Sequence, residues 1–236
     1  SLVSGVDRFL LSQLDQSVSK REEYWKRNFS SPTNYAESVE PNRMQLSHIL
    51  GIRDNRIPFK GLGLIASTNQ PALVGRGNGY DIFAVRWPVI HTIHGEGLLL
   101  VPSNKPIANI IAIPDANVLP EQISGLIEGV PSHSQFARHL AESGCRVVIP
   151  TLISRKSNEM PNHISKREWL YRSAFELGRH LIGYELQKIF AVVDWFSTQS
   201  QDDVKIGTIG WGEGGMLALY AGAIDTRIDA VCVSGY

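Results

Sequence analysis

The sequence predicts an α/β fold: a mostly parallel sheet flanked by helices and preceded by an N-terminal helical arm. Three observations predict it. Ile107 to Ile113 and Arg146 to Ile149 are apolar on both strand faces, as strands buried between two helical layers are. From residue 107 onward strand and helix patterns alternate, the mark of successive parallel units. A glycine-rich turn, Gly210-Trp211-Gly212-Glu213-Gly214-Gly215, then joins an apolar strand to a small-residue helix. With 236 residues, 43% of them hydrophobic, the chain can bury a sizeable core and is neither disordered nor fibrous in composition. Its 23 basic and 23 acidic side chains cancel, so no electrostatic attraction to nucleic acid or an anionic membrane is expected. The absence of a run of about 18 apolar residues predicts no membrane span.

Taken in order, residues 6 to 28 carry Phe9, Leu10, Leu14 and Val18 about one helical turn apart, an amphipathic helix. A second helix is predicted from Tyr35 to Leu50, with Gly51 as its left-handed cap. The expected division is a helical arm over 1–57 and an α/β domain over 58–236. Leu62, Leu64 and Ala66, then Ile82, Ala84 and Arg86, alternate as strand residues do. Between them Gly75-Arg76-Gly77-Asn78-Gly79 reads as a long turn, since it lacks the Lys-Ser/Thr ending of a phosphate loop. His94-Gly95-Glu96-Gly97 reads as a hairpin turn between the strands Phe83–Ile90 and Leu98–Val101. A helix over Ser132 to Ser143 ends at Gly144, and a long helical stretch from Lys166 to Phe196 is expected to break near Gly183. The strand Val204–Ile209, the helix Met216–Ala223 and the strand Ala230–Val233 complete the pattern.

The turn at 210–215 fits the nucleophile elbow Gly-x-Ser-x-Gly, with Gly210 and Gly214 on its two glycines and Gly215 closing the turn. From about Tyr80 to Tyr236 the chain resembles the α/β-hydrolase superfamily, and its acetyl-xylan-esterase and dienelactone-hydrolase-like branch most of all. The resemblance is carried by the strand and loop Ile110 to Ala116, the strand Arg146 to Pro150, the elbow, the helix Gly178 to Glu185 and the strand end Val233 to Tyr236. It implies a nucleophile at the elbow, an acid after a later strand and a His after the last one. Transferred residue by residue, the nucleophile falls on Gly212, which has no side chain to attack with, and the acid and His fall beyond Tyr236. The last of the seven histidines, His180, lies upstream of the elbow. The resemblance also implies an oxyanion hole from backbone N–H groups, here of Glu213 and Ala116.

Two carboxylates remain as candidates for catalysis, Glu213 one residue past the nucleophile position and Asp115 on the loop after the strand ending at Ile113. A pair of carboxylates can share a proton and do acid–base work; alone, Glu213 reads as an ion-pairing group under the turn and Asp115 as a turn former. Arg167, Arg172, Glu168 and Glu176 read as a solvated helix face. His91, His94, His133 and His139 read as turn or surface groups, the last two on the helix over 132–143. Trp169, Trp195 and Trp211 are expected to pack inside, and Cys145 and Cys232 to be buried free thiols. No metal or organic cofactor is indicated. Three functions stay open: a small-molecule ester or carbohydrate bound without cleavage, an ester hydrolase using Glu213 or Asp115, and a structural module in which the elbow is only a fold element.

Overall fold

A computed structural model describes residues 2–155, 164–199 and 204–236. The chain divides into two compact units, Ser1–His48 and Ile49–Tyr236. In the first, α1 (Leu2–Lys20) and α2 (Pro32–Ile49) flank a linker. Asn28 N–H donates to Ser38 Oγ at 3.0 Å, Asn42 Nδ2 donates to Tyr24 O at 3.1 Å, and Phe29 stacks on Tyr35. The helix predicted over 6–28 begins and ends earlier, and none of the α1 side chains is buried.

The second unit is built on one mixed sheet. Its strands are β1 (Gly63–Leu64), β2 (Leu73–Gly77), β3 (Tyr80–Ile90), β4 (Ile93–Pro102), β5 (Asn109–Ile113), β6 (Arg146–Pro150), β7 (Ile206–Trp211) and β8 (Ala230–Ser234), in the order β1-β3-β4-β6-β5-β7-β8 with β2 also on β3. Pairing is antiparallel as far as β4–β6 and parallel through β6, β5, β7 and β8. The helices are α3 (Pro120–Ile123), α4 (Phe136–Glu142), α5 (Lys166–Glu176), α6 (Leu181–Thr198) and α7 (Glu213–Ile224). On one sheet face Tyr80, Ile82, Leu98, Leu100, Val147 and Ile149 pack with Ala137 and Ala141 of α4. On the other, the Trp87 indole N–H donates to the Lys188 carbonyl of α6 at 3.1 Å.

Several elements differ from what the sequence pattern predicts. Gly75 to Gly79 is not a long turn: β2 runs through Gly77, and the two residues Asn78-Gly79, with Gly79 at φ +81°, turn it into β3. Gly79 supplies the positive φ that lets so short a turn close. His94 to Gly97 lies inside β4, paired with Pro88 to Val85, and the chain reverses at His91-Thr92 instead. Its glycines answer close approaches: a Cβ on Gly95 would lie 2.3 Å from the Trp87 ring and one on Gly97 2.0 Å from the Ile149 carbonyl oxygen. The strand expected at Ile82, Ala84 and Arg86 is β3, but burial along it does not follow a simple alternation: Ile82, Val85 and Trp87 are all buried, because both faces of this strand are covered. The long helix breaks at 177–180, not at Gly183. Gly178 takes φ +67° and the His180 imidazole caps α6 by accepting the Ile182 N–H at 3.1 Å. Gly183 is small because a Cβ there would meet the Leu50 carbonyl oxygen at 2.4 Å. His133 sits on a separate 3-10 turn, Ser132–Ser134, ahead of α4. Cys145 is buried but Cys232 is exposed, and of the three tryptophans only Trp195 is buried.

The segment before β1 is strapped by ion pairs to α6 and to the turn that leads into it. Arg179 holds Asp54 through two hydrogen bonds of 2.8 and 2.6 Å, and Arg56 holds Asp194 through two of 2.6 and 3.1 Å. Hydrogen bonds from Arg179 hold the Asp54 carboxyl below its ordinary pKa. Burial pushes Asp194 upward, but Arg56 and Arg227 outweigh it and lower that group too. Depressed folded-state values contribute stability above the ordinary carboxylate range that is lost as pH falls through the lowered values. The thermal midpoint is therefore expected to fall from about pH 5 downward. In an Arg56→Met/Arg179→Met variant the same titration should be flatter; an unchanged slope would refute the assignment.

Candidate active site

The elbow forms where β7 runs into α7. Gly212 joins them at φ +57°, ψ −123°, a conformation that strains any residue with a side chain. The Gly212 N–H donates to the Ser234 carbonyl at 2.9 Å, and its own carbonyl accepts the Met216 N–H at 3.1 Å. The glycines on either side are explained by backbone crowding. A Cβ on Gly210 would lie 2.0 Å from the Gly214 carbonyl oxygen, one on Gly214 2.2 Å from that of Ile113, and one on Gly215 2.7 Å from that of Ser234. The first turn of α7 thus rests directly on the ends of β5, β7 and β8. Trp211 closes β7 with its ring largely exposed.

Three loops meet at this edge because β6, β5 and β7 are neighbours and parallel. The loop after β5 brings Asp115, whose Oδ1 accepts the Glu213 N–H at 2.9 Å. The segment after β6 brings Arg155. Its Nη2 donates to Asp115 Oδ1 at 2.5 Å and its Nε to Glu213 Oε2 at 3.0 Å. Arg167 of α5 donates through Nη2 to Glu213 Oε1 and through Nη1, at 2.6 Å, to the Ile153 carbonyl. Two guanidinium groups and two carboxylates make a closed, formally neutral cluster. Within it the Glu213 side chain is 10% exposed and that of Arg155 43%, so Arg155 is the member that water reaches most. Burial pushes the Asp115 carboxyl up, but the backbone N–H groups of Glu213 and Asn117 together with Arg155 hold it below its ordinary value. Burial works against the charge on Arg155, and the two carboxylates more than restore it.

Beneath the cluster lies a second, buried pair. Lys188 Nζ is 2.5 Å from Glu185 Oε2 on α6 and donates to the Thr151 carbonyl at 2.7 Å, while Glu185 Oε1 accepts the Ile153 N–H at 2.7 Å. This pair grips the backbone from which Arg155 reaches forward.

The two carboxylates singled out in the sequence, Asp115 and Glu213, are brought together, joined through Arg155 and through the Glu213 N–H. Ala116 is buried on the loop beside them. Arg167 is not part of a solvated face, since its guanidinium turns inward to Glu213. Arg155 carries no signal in the sequence, since its partners lie 40 and 58 positions away and no local spacing announces them. His180 faces a cleft of about 420 Å³ with Tyr171, Arg167 and Glu213, and burial pushes its imidazole toward the neutral form. A second cavity of about 470 Å³ opens on the other side of the elbow between Asp115, Phe136, Ile209 and Trp211. Among the described residues, no group of three or more His, Cys, Asp or Glu side chains is placed to hold a metal ion. No helix of the described residues is long and apolar enough to cross a membrane.

An antiparallel hairpin leading into a parallel sheet, with a strand–turn–helix elbow at its C-terminal edge, defines an α/β-hydrolase fold. The chain belongs to the dienelactone hydrolase family, whose pattern spans residues 98–234. Among solved structures it is similar to a candidate acetyl xylan esterase of Bacteroides fragilis NCTC 9343, with 19% identity and a TM-score of 0.63 over 87% of this chain and 54% of that one. It is also similar to a glucuronoyl esterase of Solibacter usitatus, with 12% identity and a TM-score of 0.54 over 84% of this chain and 58% of that one. The chain therefore spans little more than half the length of either structure. No curated protein matches the sequence.

Proposed function

We propose that this chain is an esterase-type α/β-hydrolase domain that binds a small ester or carbohydrate ligand beside the elbow, against Trp211, without cleaving it by the serine route. The observation that carries the reading is Gly212 at the apex of the elbow, where a hydrolase of this fold presents its nucleophile. Membership of the dienelactone hydrolase family and the likeness to esterase structures support an ester-hydrolase-like ancestry and cleft. The ion cluster argues against the carboxylates as substitutes. Glu213 and Asp115 are each held by arginine, which stabilises the anion and blunts both nucleophilic attack and proton donation. Trp211, exposed beside Asp115, offers a flat ring for a sugar or acyl face.

Incubated with a chromogenic acetyl ester, the chain is expected to give no turnover above buffer, and Glu213→Gln and Asp115→Asn to change nothing. Titration with acetylated xylo-oligosaccharides is expected to alter tryptophan fluorescence in the wild type and not in Trp211→Phe. Turnover that falls at least ten-fold in Glu213→Gln would replace this reading with a carboxylate mechanism. Failure of every ester and saccharide to bind would leave a structural module.

A further inference from the structure

We propose that Asp115 is a built-in occupant of the oxyanion site, an internal carboxylate that keeps the elbow closed to a ligand's carbonyl. The inference rests on the reading above in one respect, that the Glu213 N–H is the donor an ester oxygen would need. That N–H is taken: it points at Asp115 Oδ1 across 2.9 Å. The same oxygen receives Arg155 Nη2 at 2.5 Å, and the Asn117 N–H helps to keep the carboxylate charged. A carboxylate with several donors, one of them charged, is held far more firmly than a neutral carbonyl oxygen in the same place. It also stands at the start of α7, a helix of 12 residues, where the unpaired amide groups favour negative charge.

Position excludes a ligand's carbonyl oxygen from this donor as firmly as charge does, while the exposed Trp211 ring stays open to the rest of the ligand. A Cβ built on Gly212 would lie 2.6 Å from Asp115 Oδ1 and 3.1 Å from its carboxyl carbon. The carboxylate therefore fills both the space beside the donor and the space where a nucleophile's side chain would begin. Loss of a nucleophile and closure of the donor site are coupled in this structure, because an ordinary side chain at 212 and the present position of Asp115 are mutually exclusive. Opening the site requires Asp115 to swing away, and Arg155, the most exposed of the four ionic groups, is the contact that must yield first.

The test follows the Glu213 amide by ¹⁵N–¹H NMR, with sodium acetate as the probe and sodium chloride at matched ionic strength as control. In the wild type the amide is expected to be protected from hydrogen exchange and indifferent to acetate. In Asp115→Ala the emptied site should take acetate at least ten-fold more tightly than the wild type does, with a saturable shift of that amide. Asp115→Asn, which leaves a neutral oxygen in place, should not gain it. Asp115→Ser serves the same purpose should the alanine variant fold poorly. An unprotected Glu213 amide in the wild type, or equal acetate responses in wild type and Asp115→Ala, would overturn the proposal. Absence of ester or saccharide binding by the wild type alongside an acetate-responsive Asp115→Ala would sink the functional reading and leave this one standing.

Discussion

Replacing Glu185 by leucine is expected to destabilise the chain by about 3–5 kcal/mol, the usual consequence of removing one member of a buried ion pair. The Glu185 side chain is 1% exposed and that of Lys188 10%. Without the carboxylate the ammonium keeps the Thr151 carbonyl but loses its counter-charge, and the Ile153 N–H loses its acceptor. A charge left unpaired away from water is what makes the single substitution costly. The double variant Glu185→Leu/Lys188→Met removes both charges and should recover most of the loss, since a well-packed apolar pair often equals a buried ionic one. Urea midpoints of the two variants decide the matter; equal losses would show that the pair is not coupled. A second readout separates positioning from general stability. If the pair holds the Arg155 segment, the Asp115 carboxyl should titrate closer to its ordinary value in Glu185→Gln than in the wild type, measured by ¹³C NMR.

The second large effect belongs to the elbow's glycines. Gly210→Ala would place a methyl carbon 2.0 Å from the Gly214 carbonyl oxygen, and Gly214→Ala one 2.2 and 2.4 Å from the carbonyl oxygens of Ile113 and Pro114. These neighbours are backbone atoms at the junction of strand and helix, so no side chain can rotate aside and α7 must lift off the sheet. Each substitution is expected to reach or exceed the upper end of overpacking costs, about 3 kcal/mol. Gly61→Ala is the control, because nothing lies within 4 Å of a Cβ there, and a change within about 0.5 kcal/mol is expected. Thermal unfolding followed by circular dichroism distinguishes them. Indistinguishable midpoints for Gly61→Ala and Gly214→Ala would refute the close approach of α7 to β5.

What could be read in advance follows the length scale of each interaction. The strands β5 to β8 and the helix α6 were legible because their apolar runs are local patterns. Gly51 and Gly144 were legible as helix ends because a positive φ at a helix end favours glycine. Glycines set by distant partners misled. Gly95, Gly97 and Gly183 suggest turns or breaks in sequence but sit inside a strand or a helix, kept small by Trp87, Ile149 and Leu50. The Asn78-Gly79 hairpin was hidden by the three glycines within 75–79, which blur where a strand stops. Arg167 hides its role for a related reason: its helix carries mixed charges at surface spacing, and only the fold turns one of them toward Glu213.

The sequence by itself determined the α/β units, the place of the elbow at Gly210 to Gly215 and the want of a nucleophilic side chain at Gly212, for each is a property of adjacent residues. The tertiary structure alone decided where the charges go. Asp115 meets the Glu213 amide across 98 positions, and Arg155 and Arg167 reach Glu213 across 58 and 46. These contacts exist because the order β6-β5-β7 gathers the ends of three parallel strands at one edge of the sheet. Strand order is fixed by packing over the whole core, not by spacing along the chain, so the occupied oxyanion site becomes visible only once that edge is assembled.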